Sequence, residues 1–374
     1  MSVQTRDAAR VADARATLGH AGRTGLALFA FVVGLIGLPV GLGVGAMYVM
    51  NAGISVTAVA GLVVLACALT LVVIGGVVLV RRLPRWWRLL AAPAVLVLLQ
   101  FVLVPVTPAV YATNLPPTQV GDATPSDRGL GYEDVEFTTT DGVRMSGWYV
   151  PSANGAAVAL LHGSGSTRSA VLDHAQVLAD NGYGVLLYDA RGHGRSGGEG
   201  MDFGWWGDVD LDAAVSYLQT RSDVRADRIG AVGMSMGGEQ AVNAAATDDR
   251  ILAVVGEGVE PRVPADATPA PGPRGWVEQS VSRIVVATAA LLTDAPAPMP
   301  LRDAVAAIAP RAVLLIAGSG EVAAIRDVAE AAPATVDVWE LPDTPHTQGL
   351  ADEPEEWEAR VVAFLDRALV PVHE

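Results

Sequence analysis

The chain has 374 residues, 51% of them hydrophobic, and a formal net charge of −15 at pH 7. That charge is divided: residues 1–112 carry 8 Arg and 2 Asp, net +6, whereas the remainder carries 17 Arg against 38 acidic residues, net −21. Phosphate binding requires clustered cations that release counterions, so the acidic remainder excludes nucleic acid as a partner, and a single cysteine, Cys67, excludes an intramolecular disulfide.

In chain order, residues 1–24 read as a polar cytoplasmic tail bearing Arg6, Arg10, Arg15 and Arg23. Three uncharged apolar stretches follow, at about 25–50, 56–80 and 89–111, each long enough to cross a hydrocarbon core of roughly 30 Å as a helix. They are apolar all round, where a buried helix of a soluble protein would show a polar stripe, and the first is too long for a signal peptide. Arg81, Arg82, Arg85 and Arg88 fill the connection between the second and third stretches, while the connection at 51–55 is uncharged. By the positive-inside rule the tail and the Arg-rich loop face the cytoplasm, and the third span delivers the rest of the chain to the other side of the bilayer. Residues 112–131, with Pro116, Pro117 and Pro125, read as an extended linker.

From residue 132 the pattern becomes regular. Val135, Phe137 and Thr139 alternate into a turn at Asp141 and Gly142, then return through Met145, Trp148 and Val150, which predicts a β-hairpin. Short apolar runs recur at 156–161, 184–188, 229–232, 251–255, 312–317 and 336–341, with helical spacing between them. Continuous apolar strands separated by helices predict an α/β domain, a doubly wound and mostly parallel sheet over residues 132–369. Ligands of such sheets bind at the carboxyl ends of the strands, so the residues just past each strand carry the interest.

After the run ending at Val232 comes Gly233, Met234, Ser235, Met236, Gly237, followed by a helical stretch. Gly-x-Ser-x-Gly between strand and helix is a nucleophile elbow, in which the serine sits on a strained turn and the glycines remove side chains that would clash. His162, Gly163, Ser164 and Gly165 follow another strand, and the main-chain N–H groups of Ser164 and Met236 are the candidate oxyanion donors. His162 is read as bracing that loop and Gly163 as giving it room. His346, in a loop past the last strand, is the candidate general base. Glu321, in Gly318, Ser319, Gly320, Glu321 after the preceding strand, is the candidate acid that orients it; Asp327, Glu257 and Glu260 are the alternatives.

With these residues in place, the soluble part resembles the α/β-hydrolase superfamily, especially its single-domain serine esterases and Bem46-like members. Its most specific element is Tyr188, Asp189, Ala190, Arg191, Gly192, His193, Gly194, Arg195, Ser196. The resemblance implies that Asp189, Arg191 and His193 support the site and do not act on substrate. Where that family carries Asp in a Gly-x-x-Asp pattern this chain has Glu321, an acid that serves in some members. The segment 259–310, with Trp276, Val281, Ile284, Val285, Leu291 and Leu292 at helical spacing, stands where the superfamily often places a lid. The expectation is a membrane-anchored carboxylesterase working through an acyl-enzyme, with no metal or organic cofactor. An amidase, peptidase or acyltransferase with the same triad, and a non-catalytic receptor that kept the fold, are the alternatives.

Overall fold

A computed structural model describes residues 3–266 and 269–370, with residues 3–21 described by their backbone alone. His373 lies outside the described residues. The chain divides into two compact units, Met1–Tyr111 and Ala112–Glu374.

The first unit is helical throughout. Helix α1 spans Val3–Val40 and passes through a π-helical turn, Gly41–Ala46, into α2, Met47–Ala52; α3 spans Val56–Arg82 and α4 Arg85–Ala112. The expected polar tail is thus, from Val3, backbone continuous with the first apolar helix. Three stretches, Gly22–Ala52, Val56–Arg82 and Arg85–Ala112, are long and apolar enough to cross a membrane. Their outer faces leave Leu26, Phe29, Ile36, Ile74 and Leu96 more than half exposed, which water would penalise and lipid would not. Glycines bring α3 backbone to backbone against α1 and the π-helical turn: a Cβ on Gly61 would sit 2.5 Å from the Gly45 nitrogen, and one on Gly34 would sit 2.8 Å from the Ala68 carbonyl. Ser55 caps α3 by accepting the Ala58 N–H, and Arg88 donates to the Arg81 and Leu83 carbonyls at its other end.

The second unit is built on one eight-stranded sheet: β1 (Glu133–Thr138), β2 (Arg144–Val150), β3 (Ala157–Leu161), β4 (Gly184–Tyr188), β5 (Ile229–Met234), β6 (Ile251–Glu257), β7 (Ala312–Ala317) and β8 (Val336–Glu340). Their spatial order is β1-β2-β4-β3-β5-β6-β7-β8. β1 with β2 and β2 with β4 are antiparallel, and every other pair is parallel. β3, β4 and β5 are buried residue for residue because helices cover both faces. On one face lie α6 (Gly207–Gln219), α7 (Met236–Thr247), α9 (Leu301–Ile308) and α10 (Val322–Ala329), packed with Leu161, Ala231 and Leu315. On the other lie α5 (Leu172–Asp180) and α12 (Pro354–Leu369), packed with Leu160, Val232 and Ile316. The remaining helices are α8 (Pro273–Leu292) and the short α11 (Gly349–Asp352).

Two expectations change here. The segment expected to be an extended linker is folded onto the domain: Pro125–Arg128 forms a capped turn, Val120, Ala123 and Leu130 pack on the core, and Thr118 accepts the Gly194 N–H. Its apolar residues, though few, are enough to seat it. The segment 259–310 is two different things, because α9 buries Leu301, Ala304, Val305 and Ile308 in the core, whereas α8 buries only Gly275 and Ala289.

The glycine contact makes a testable difference. In the full chain in detergent, Gly61→Leu should lower the midpoint of thermal unfolding by several degrees, since it inserts a branched side chain into a backbone contact. Gly22→Leu, at a position with no described atom near its Cβ, should leave that midpoint unchanged.

Candidate active site

Sheet order brings the candidate residues to one edge. β5 lies between β3 and β6, so Ser235, which follows β5, stands between the loop after β3 and the end of β6. Its backbone sits at φ 53°, ψ −123°, a conformation L-residues avoid. The neighbours enforce this geometry. A Cβ on Gly233 would come within 2.2 Å of the Gly237 main chain, and one on Gly237 within 2.7 Å of Leu161. The Ser235 N–H donates to the Glu257 carbonyl at 2.7 Å, tying the elbow to β6. From here α7 begins, with its first amides at the serine.

Gly163 lies against the elbow, its Cβ position 3.3 Å from that of Ser235. Ser164 and Met236 line a cavity together with Ser235, and among the described main-chain hydrogen bonds neither of their N–H groups is used. The Ser164 hydroxyl donates to Asp202, a partner that no spacing in the sequence pointed to. His162 is almost fully buried; its Nε2 accepts the Ala190 N–H at 2.9 Å and its Nδ1–H donates to the Gly163 carbonyl at 2.7 Å. Burial pulls its pKa down to about 3, so the ring is a neutral brace between two loops.

The same loop system accounts for the other supporting residues. Asp189, fully buried, accepts the main-chain N–H groups of Arg168 and Arg195. Arg191 is clamped by Asp210 at 2.8 Å and by Asp141, and its guanidinium lies 4.4 Å from the Trp206 ring centroid. His193 sits beneath, bonded through Nδ1 to the Arg191 carbonyl. All three are fixed into the scaffold by contacts away from Ser235.

Past β8, His346 meets Glu321: its Nδ1–H donates to Oε1 at 2.5 Å, while Oε2 accepts the Gly318 N–H at 2.7 Å. The carboxylate is 7% exposed and the imidazole 42%. Glu321 raises the His346 pKa above its ordinary value, chiefly through this hydrogen bond. With Nδ1 engaged, Nε2 is the free nitrogen, and His346 and Ser235 line one cavity. The described contacts join the imidazole to Glu321 and not yet to the serine hydroxyl, a contact that commonly tightens only when substrate binds. Of the alternative acids, Asp327 lies on α10, where its carbonyl accepts from Arg302, and Glu257 spends both oxygens on Gly349 and Trp357. Glu260 is close: one ligand atom from each of Glu260, Glu321 and His346 falls within 4.8 Å of the others, the one grouping of described residues with metal-like spacing.

Two cavities meet at Ser235. One, of about 650 Å³, lies between the 163–166 loop, α5 and the segment from His346 to Pro354. The other, of about 620 Å³, is walled by Met236, Phe203, the buried Glu239–Arg262 pair and the α8 residues Val281, Val285 and Val286. Burial pushes Glu239 up to about 7 even beside Arg262. Glu239 stands four residues past Ser235, one helical turn on, which the sequence does display; Arg262 carries no such signal.

Residues 152–307 match the serine aminopeptidase S33 family of hydrolases. The uncharacterized Escherichia coli protein YfhR is 32% identical over 124 residues, 32% of this chain and 43% of that protein. The Aspergillus aculeatus thiohydrolase aneE is 34% identical over 133 residues, 33% of this chain and 40% of that protein. The chain thus spans about two fifths of the length of these relatives. Among solved structures, the Pyrococcus furiosus esterase Pf2001 superposes with a TM-score of 0.57 at 28% identity, covering 69% of this chain and 98% of that one. The mostly parallel sheet and this neighbour together show that the second unit of the chain has the α/β-hydrolase fold.

Proposed function

We propose that this chain is a membrane-anchored serine hydrolase that cleaves carboxylic esters through a covalent acyl-enzyme. The observation that carries the reading is the strained Ser235 turn opening onto a cavity that is also lined by His346, whose Nδ1 is bonded to Glu321. Ser235 Oγ attacks the acyl carbon as Nε2 of His346 takes its proton, and Glu321 holds Nδ1–H so that Nε2 is the acceptor. The tetrahedral oxyanion falls between the N–H groups of Ser164 and Met236. Collapse releases the alcohol, protonated by His346, and water, deprotonated by the same imidazole, then frees the acid and restores the serine.

The three apolar helices would anchor the enzyme, with the Arg-rich loop cytoplasmic and the hydrolase domain on the opposite side. α8 serves as the lid of the second cavity. Acyl transfer to an acceptor other than water is the second reading, favoured by a 35% identical relative, a Penicillium polyketide transferase matched over 34% of this chain.

Serine-directed fluorophosphonate should label the wild type and not Ser235→Ala; a folded wild type that resists labelling would sink the catalytic reading. Because the His346 pKa is raised, the imidazole is protonated and useless as a base at low pH. kcat/KM should therefore rise with pH through a limb centred above about 6.5. Glu321→Gln should cost on the order of 10³- to 10⁴-fold in kcat and move that limb down, whereas Asp327→Asn should do neither.

Two cavities of ligand size flank the serine, so substrates bulky on both sides of the scissile bond fit best. Hexanoyl esters should exceed acetyl esters in kcat/KM by roughly tenfold or more, at about 0.8 kcal/mol per buried methylene. Flat activity across such a series would overturn this assignment. A reporter fused after Glu374 should behave as exported; cytoplasmic reporter activity would reverse the orientation.

A further inference from the structure

Glu257 is the last residue of β6, and its side chain is nearly buried at 2% exposure. Its main-chain carbonyl accepts the N–H of Ser235 at 2.7 Å, at the point where the elbow is most strained. Its carboxylate reaches the opposite way: Oε1 accepts the Gly349 N–H at 2.7 Å and Oε2 accepts the Trp357 Nε1–H at 2.9 Å. Gly349 lies three residues past His346, and between them Thr347 adopts φ 54°, a left-handed bend that a threonine holds only when its surroundings impose it. Trp357 is fully buried and begins the helix that seats this segment on the sheet.

A carboxylate is far costlier to bury than an alkyl group or an amide. This one is met, among the described contacts, by two neutral N–H donors and no arginine, both donors on the segment that carries His346. One residue therefore bonds the nucleophile's backbone with its own backbone and the base's segment with its side chain.

We propose that Glu257 is a positioning residue that holds His346 and Ser235 in a common frame, acting through the His346–Gly349 turn. This rests on the serine hydrolase reading above and adds a residue outside the triad. The consequence is kinetic: proton transfer depends steeply on distance, and a misplacement of about 1 Å costs on the order of 10²-fold, whereas Glu257 itself lines neither cavity and the second cavity is walled by other elements.

The test uses the full chain in detergent, a p-nitrophenyl ester series and fluorophosphonate labelling rates. Glu257→Gln sets an amide NH₂ against one of the two N–H donors. Gly349→Ala leaves Glu257 intact but puts a methyl 2.8 Å from its Oε1, so the turn must shift. Each should lower kcat by about 10- to 100-fold and slow labelling in parallel, a larger change than any in KM. Should Glu257→Gln fail to fold, Gly349→Ala decides alone, and melting curves identify that case. Folded variants with kcat within about twofold of wild type, or with the loss confined to KM, would overturn the inference while wild-type labelling keeps the parent reading intact. A wild type that does not label would overturn both.

Discussion

The proposed chemistry of this domain depends on one backbone constraint: at Ser235 the chain turns from strand into helix through a conformation that L-residues avoid. The cost of such a conformation is of order 1–3 kcal/mol, and an isolated turn would relax it. Here it cannot relax. Gly233 and Gly237 approach so closely that neither tolerates a Cβ, β3 packs on one side, and the Glu257 carbonyl holds the serine N–H from the other. A parallel sheet buried on both faces is what makes the restraint rigid, because β5 is hydrogen-bonded to β3 on one side and β6 on the other before the turn begins.

Around that elbow the domain resolves its charges in pairs and triplets. Several buried carboxylates draw an arginine inward: Arg191 for Asp210, Arg262 for Glu239, Arg168 near Asp189 at 3.8 Å. Breaking such a pair strands a charge at a cost of about 3–5 kcal/mol, so these contacts fix the geometry of the loops more than they add net stability. The loop after β4 is the clearest case. Asp189 accepts from Arg168 and Arg195, Arg191 is held by Asp210 and Asp141, and the Ala190 N–H reaches His162, so this loop is tied to the loop after β3.

Strands and the elbow were legible in the sequence because both are written in local terms, as continuous apolar runs and as Gly-x-Ser-x-Gly. The pairing of Glu321 with His346 was legible from order alone, each following one of two strands that turn out adjacent. Glu257 was not. Its neighbours in sequence, Gly256 and Gly258, say nothing of Gly349 and Trp357, roughly a hundred residues on, and it stood only as an alternative triad acid. The Ser164–Asp202 and Glu239–Arg262 contacts were hidden for the same reason, being made between segments far apart in the chain whose approach only the folded sheet decides. Residues 112–131 misled in another way: proline spacing reads as a tether, but the few apolar side chains that seat it on the core carry no periodicity.

The same logic separates the two helices of the 259–310 segment, whose apolar spacing looks alike on paper. α9 aligns Leu301, Ala304, Val305 and Ile308 against α7 and vanishes into the core, whereas α8 keeps Trp276 67% and Leu291 86% exposed and offers only its inner edge to the second cavity. No α8 residue lines the first cavity. The two cavities beside Ser235 are thus walled largely by different elements, one by a helix with little packing to lose and one by α5 and the histidine segment. Change in α8 can then reshape one cavity without disturbing the turn at Ser235, the histidine or the cavity opposite.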